Sequence, residues 1–185
     1  GNDYSRRDFK RWSESSYTPG VERLVHFWVD QMETHGKVAK LYPLLGIANS
    51  LLRGEQKNLL RCGGGWINYA VQTDGYIIPC PTMWGMKNYY VGHLRNANPL
   101  TLKKFFVGVP CSECEILNVC GGRCLYTNIT NRWNREEYAT VCNTVKGLIN
   151  AVNMELPRIK QLIGEKKLGL KDFEFVKYNG CEIIP

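Results

Sequence analysis

The stretch Cys111-Ser112-Glu113-Cys114-Glu115-Ile116-Leu117-Asn118-Val119-Cys120-Gly121-Gly122-Arg123-Cys124 decides how this chain is read. It places four cysteines close together and has little of the apolar periodicity that makes a helix or strand. A segment of this kind folds around something other than its own apolar side chains. Working outward, Cys142 follows after seventeen residues, while upstream the order is Cys62-x12-Gly75-x4-Cys80 and then a gap of thirty. Cys181 is the eighth cysteine and stands apart.

Eight cysteines in 185 residues admit three explanations: disulfides, zinc and iron–sulfur clusters. Disulfides staple small secreted chains that cannot bury a core. Here 44% of residues are hydrophobic, enough for a core at this length. The sequence also has no export signal and no run of about 18 apolar residues. Zinc ribbons pair two C-x2-C knuckles, and only Cys111 to Cys114 has that form. The x5, x3 and x17 intervals suit a larger body whose ligand corners lie further apart, as a cubane's do. Glycine lets backbone N–H groups approach a thiolate sulfur. Gly63-Gly64-Gly65 follows Cys62, and Gly121-Gly122 lies between Cys120 and Cys124. Cys80 sits between Pro79 and Pro81, which fixes its backbone and limits the donors near its sulfur.

The flanking segments read as ordinary globular structure. Residues 1–17 are polar and basic, an expected linker or edge anchored by Phe9 and Trp12. Thr18-Pro19 is expected to open a helix, with Val21, Leu24, Val25, Trp28, Val29 and Met32 at helical spacing and Gly36 as its stop. A second helix is expected from Pro43 to Gly54, with its stripe on Leu44, Leu45, Ile47, Ala48, Leu51 and Leu52. Trp66–Gln72 and Tyr76–Pro79 read as hairpin strands joined by Thr73-Asp74-Gly75. An extended piece is expected near Tyr89–Leu94 and a short helix over 100–107. A long helix is expected from Glu136, striped by Val141, Val145, Leu148, Ile149, Val152, Leu156, Ile159 and Ile163 and kinked or broken at Pro157. Asn179-Gly180, between Phe173–Tyr178 and Cys181–Ile184, is a hairpin signal. The expected fold is therefore α+β: a helical N-terminal segment, two β-hairpins, cysteine-rich metal-binding loops and a long C-terminal helix.

The cysteine order C-x(9–15)-G-x4-C, a gap, C-x2-C-x5-C-x3-C, a gap and C resembles the seven-cysteine signature of the SPASM domain. That domain is the auxiliary iron–sulfur domain of radical S-adenosylmethionine (SAM) enzymes that modify peptides or proteins. The match runs from Cys62 to Cys142, a little under half of the chain. The resemblance implies two [4Fe–4S] clusters, the first held by Cys62, Cys80 and Cys124 and the second by Cys111, Cys114, Cys120 and Cys142. Some family members supply a fourth ligand to the first cluster from a cysteine upstream of the hairpin, and this chain has no cysteine before Cys62. That position is then open, filled by substrate, or filled by another residue. The resemblance also implies three regions: 1–58 as the helical end of the radical SAM core and bridge, 59–145 as the SPASM domain, and 146–185 as a C-terminal helix and hairpin.

The family cleaves SAM at a cluster held by C-x3-C-x2-C. Cys120-x3-Cys124 supplies the first interval, but Thr127 stands at the third position and no other triplet fits. SAM and a third cluster are accordingly expected only in a longer parent. The implied partners are the radical SAM core domain, a peptide or protein substrate, and an external electron donor or acceptor. The implied setting is a reducing cytoplasm, with no membrane association.

Two competing readings stand beside this one. Thiolate sites accept zinc readily, so a zinc-stabilised structural or interaction module is one alternative, with zinc entering if the protein is made aerobically. A stand-alone ferredoxin-like carrier is the other, against which stand the two apolar helical stripes before Cys62. The net charge of +7 invites a nucleic-acid partner, yet Arg6-Arg7, Lys103-Lys104 and Lys166-Lys167 are short and scattered. Seven thiolates around two cubane cores of charge 2+ would lower the net charge to about +4. The basic balance is then partly the counterpart of a buried anionic cofactor, and a nucleic-acid partner is not expected. Cys181 reads as a small buried hydrophobe, with a ligand or substrate-handling role as alternatives. His26, His35 and His93 read as structural or solvated. Trp66, Tyr69, Tyr76 and Trp84 read as apolar shielding around the hairpin, Asp74 as turn chemistry, and Arg123 as a tuner of cluster charge or a surface residue.

Overall fold

The computed structural model describes residues 8–54, 59–131, 133–178 and 182. Its α-helices are α1 (Phe9–Trp12), α2 (Thr18–His35), α3 (Leu44–Arg53), α4 (Leu117–Cys120), α5 (Leu125–Thr130) and α6 (Arg135–Gly164), and its strands are β1 (Ala70–Val71), β2 (Tyr76–Ile78) and β3 (Gly92–His93). The fold is α+β, with a small antiparallel sheet and a long C-terminal helix. Two compact units divide the chain: described residues 8–54 and 133–175 form the first, and 59–131, 176–178 and 182 the second.

In the first unit α2 and α3 pack on α6. The apolar positions of α2 that repeat at helical spacing, Val25, Trp28, Val29 and Met32, are buried, as are Val145, Leu148, Val152, Leu156 and Ile159 of α6. Gly36 (φ 60°) and Gly54 (φ 62°) stop their helices in the left-handed conformation that glycine adopts without strain. Thr18, however, caps nothing. The helix is already running from α1, where the Asp8 carboxylate accepts the Arg11 N–H at 2.9 Å. Pro19 lacks an N–H and its ring crowds the carbonyl four residues back. The chain answers with a π-helical turn over Ser13–Tyr17, closed by the Thr18 N–H on the Ser13 carbonyl. The expected linker is thus helical over 9–17.

The long helix starts at Arg135, one residue earlier than expected, because Asn134 and Glu137 form a capping box with bonds of 2.9 and 3.0 Å. It runs unbroken as one element through Pro157, which is exposed. The carbonyl that loses its partner there can turn to water.

Exposed and half-buried charges line the pairing of α2 with α6. His26 Nδ1 lies 2.8 Å from Glu155 Oε1 and Nε2 lies 3.5 Å from Asp30 Oδ2. Arg158 reaches Asp30, Glu33 and Glu155 at 2.7, 2.6 and 2.9 Å. The hydrogen bond to Glu155, then the charges of Asp30 and Glu155, raise the His26 pKa against the opposing Arg158. A raised pKa means that the contact stabilises fully below the ordinary histidine value of about 6.5 and is lost as pH climbs through the folded value. The thermal midpoint of the protein should therefore exceed that of His26→Gln by more at about pH 5.5 than at about pH 8.5. Equal differences at both pH values would remove this assignment.

The second unit carries the sheet, in the order β1-β2-β3, with Ala70 opposite Ile78, Val71 opposite Ile77, Tyr76 opposite His93 and Ile77 opposite Gly92. Gly75 turns the hairpin at φ 87°, and a Cβ there would lie 2.6 Å from the His93 ring. The first strand is much shorter than the expected Trp66–Gln72. The Gly63 carbonyl accepts the N–H groups of Trp66, Ile67 and Asn68, which rolls 63–68 into a turn. Only Pro99–Thr101 is helical in the stretch 100–107, and the Phe105 N–H is taken by the Gly65 carbonyl at 2.7 Å.

The first arm of the expected terminal hairpin is not a strand. Leu170–Phe173 forms a 3-10 turn and 174–178 is irregular, while Asn179-Gly180 and Cys181 lie outside the described residues. Its carbonyls go to side chains instead: Lys40 Nζ binds those of Asp172 and Glu174, and Asn49 Nδ2 binds that of Phe173. The core of the second unit is Leu60, Met83, Val107, Leu117 and Leu125, and Cys62, Cys80, Cys111 and Cys114 pack against it half-buried. Among the described residues, no helix is long and apolar enough to cross a membrane.

Candidate metal centre

Six of the seven signature cysteines belong to the second unit. Cys62 sits within a turn closed by the Gly63 N–H on the Leu60 carbonyl. Cys80 leaves β2 and precedes the 3-10 turn Pro81–Met83. Cys111 opens another such turn and Cys114 closes it, donating its N–H to the Cys111 carbonyl at 3.0 Å. Cys120 ends α4 and Cys124 caps α5. Cys142 lies on α6, in the first unit. All seven are half-buried thiols.

Two of the six, Cys62 and Cys120, each feel the charges of two others. Burial pushes the Cys62 thiol up; the Gly64 N–H opposes it, and the charges of Cys80 and Cys124 add to it. Burial likewise pushes Cys120 up; the N–H groups of Gly122 and Arg123 oppose it, and Cys111 and Cys114 add to it. Three neighbouring thiolates in partly apolar surroundings cannot all ionise cheaply unless a cation compensates them. Thiolates around a single zinc ion would sit about 3.8 Å apart, from a Zn–S length of about 2.3 Å. Among the described residues, no three His, Cys, Asp or Glu side chains are gathered as one ion requires.

The backbone supplies the donors that hold sulfur. Gly121, Gly122 and Arg123 follow one another at φ 71°, 88° and 56°, a left-handed run that turns the Gly122 and Arg123 N–H groups onto Cys120. Glycine is required at the first two for lack of space as well as for φ. A Cβ on Gly121 would lie 2.3 Å from the Leu59 carbonyl oxygen, and one on Gly122 would lie 2.7 Å from Val107. Arg123 takes the same conformation without being glycine, at a strain of about 1 kcal/mol. Cys62 Sγ accepts the Gly64 N–H at 3.4 Å. Cys80 differs, since Pro81 has no N–H to give, and its sulfur lies 3.1 Å from the Thr82 hydroxyl.

Behind the thiols, one side chain ties the two sets together. Arg61 precedes Cys62, and its guanidinium donates to the Val119 carbonyl (2.9 Å), just before Cys120, and to Glu182 Oε2 (3.0 Å). Both side chains of this ion pair are buried, at 8% and 3% exposure. Burial raises the Glu182 pKa, and Arg61 and Lys177 counter it. Asn68 Nδ2 donates to the Cys62 carbonyl at 2.6 Å and to the Tyr178 carbonyl, and Tyr178 meets Trp66 edge-on at 5.8 Å. The tail is thereby pinned on both sides of Cys62. Arg61, Asn68, Thr82 and Glu182 escape sequence reading, because pairs so distant in the chain leave no local pattern.

The remaining candidates divide. Asp74 accepts the Tyr76 N–H as turn chemistry predicts. His93 donates to the Asp74 carbonyl and accepts the Arg95 N–H, and His35 pairs with Gln31; these roles are structural. Tyr69 bonds the Gly65 and Lys103 carbonyls. Trp84 is 72% exposed, so it shields nothing in this unit: the turn at Pro81–Met83 buries Met83 and directs Trp84 to solvent.

The chain shares its fold with part of the solved structure of hexahistidine-tagged anSMEcpe with bound AdoMet, at a TM-score of 0.50 and 19% sequence identity. The likeness covers 82% of this chain and 42% of that one, so this chain spans about two fifths of its length. No family model and no curated protein matches the sequence.

Proposed function

We propose that the second unit is an auxiliary iron–sulfur domain of SPASM type, holding two [4Fe–4S] clusters within a radical SAM enzyme. The observation that carries this reading is the seven-cysteine spacing from Cys62 to Cys142, and the neighbours of two thiols agree with it: the charges of Cys80 and Cys124 act on Cys62, and those of Cys111 and Cys114 act on Cys120. Those are the triads that the signature allocates to separate clusters. The fold likeness to an AdoMet-bound protein supports a radical SAM-related domain. Cys142, as fourth ligand of the second cluster, comes from the signature alone.

Such clusters supply one-electron transfer and, at an iron that no cysteine holds, a position for a substrate atom. The chain's own residues supply the thiolates, the N–H groups of Gly64, Gly122 and Arg123 that steady them, and the apolar wall of Leu60, Met83, Val107 and Leu125 that limits water. SAM, its cleaving cluster, a peptide or protein substrate, an external electron partner and a cytoplasmic setting complete the proposal for the longer protein.

The test is iron, zinc and acid-labile sulfide per chain after anaerobic reconstitution. About eight irons and eight sulfides are expected, falling to about four of each in Cys114→Ala. Zinc without sulfide would overturn the reading, and a full iron complement in Cys114→Ala would overturn the ligand allocation.

A further inference from the structure

The two triads receive their hydrogen bonds from different kinds of donor. Cys120 is served by backbone N–H groups, which no substitution other than proline removes. At Cys80 the flanking prolines withdraw the backbone donor, and the Thr82 hydroxyl stands 3.1 Å from the sulfur in its place. Between a thiol and a hydroxyl either atom can donate. Once the sulfur is a metal-bound thiolate, only the hydroxyl has a proton to give.

A hydrogen bond to a cluster sulfur draws electron density from the iron and favours the reduced, more negative state. We infer that Thr82 is a positioning residue of the first cluster, whose hydroxyl, donated to Cys80, raises that cluster's reduction potential and leaves the second cluster's unchanged. This rests on the cluster assignment proposed above. Thr82 is exposed and its side chain holds no fold element: the turn over Pro81–Met83 closes through the Met83 N–H on the Cys80 carbonyl. Valine there keeps the branched shape and deletes only the hydrogen bond, while serine keeps the hydroxyl.

The experiment is an anaerobic redox titration followed by EPR on the reconstituted protein and on Thr82→Val and Thr82→Ser, with the first cluster identified as the signal lost in Cys80→Ala. The expected result is a shift of the first midpoint to lower potential in Thr82→Val, an unmoved second midpoint, and a Thr82→Ser protein that titrates with the unaltered one. An unmoved first midpoint in Thr82→Val, a joint shift of both midpoints, or a Thr82→Ser shift equal to that of valine would each overturn the role of Thr82. Absence of iron and sulfide from the unaltered protein would overturn the cluster assignment itself, an outcome distinct from a loaded protein that ignores the hydroxyl.

Discussion

Arg61→Ala is expected to destabilise the cysteine-bearing unit by about 3–5 kcal/mol, the usual cost of removing one partner from a buried ion pair. The guanidinium and the Glu182 carboxylate are both almost wholly buried. Alanine would leave that carboxylate in low dielectric without its bonded cation, and would leave the Val119 carbonyl without its donor. Protonation of Glu182 offsets part of the first cost, because burial already raises its pKa. The pair itself adds less than this figure suggests, since apolar replacement of both partners is often neutral or better. Arg61→Met combined with Glu182→Leu should therefore recover much of the loss. Anaerobic urea unfolding of the reconstituted protein, followed by tryptophan fluorescence, measures both. A loss below about 1 kcal/mol in Arg61→Ala would mean that water reaches the pair.

Gly121→Ala is expected to cost about 3 kcal/mol or more and to abolish the second cluster alone. A left-handed φ costs an ordinary residue about 1–2 kcal/mol, and the new methyl would lie 2.3 Å from the Leu59 carbonyl oxygen and 3.1 Å from the Arg61 nitrogen. Both obstacles are backbone, so neither can swing aside, and relief requires moving Cys120 off its N–H donors. Iron should fall to about four per chain, with the signal assigned through Cys80 retained. Gly20→Ala is the contrast. Gly20 lies in α2 with nothing within 4 Å of a new Cβ, so alanine should stabilise by about 1 kcal/mol. Were the two variants to behave alike, space and conformation would not be what selects glycine at 121.

What could be read in advance was whatever leaves a local trace. The stop of α2 at Gly36, most of its stripe, and the Thr73-Asp74-Gly75 turn are local patterns found where expected; Leu24, expected in that stripe, is exposed instead. The allocation of the cysteines to two clusters came from the resemblance to a family signature and not from any local pattern, and it belongs to the proposal. Strand length was overread, since the alternation at Ile67, Tyr69 and Val71 cannot reveal that the Gly63 carbonyl captures three N–H groups first. The helical start at Asp8 was hidden by Pro19, a residue that ordinarily marks a beginning. Side-chain ties such as Lys40 to the Asp172 carbonyl span 132 residues, and no window of sequence contains both ends.

The Arg61–Glu182 pair also orders events in time. Glu182 is made 121 residues after Arg61, which at about 5–20 residues per second is on the order of ten seconds of synthesis. Every cysteine of both triads, and Cys142 as well, is joined to the growing chain before the carboxylate exists. The thiols proposed to hold the clusters are thus all present first, and a stretch of chain translated later closes the buried pair beside Cys62.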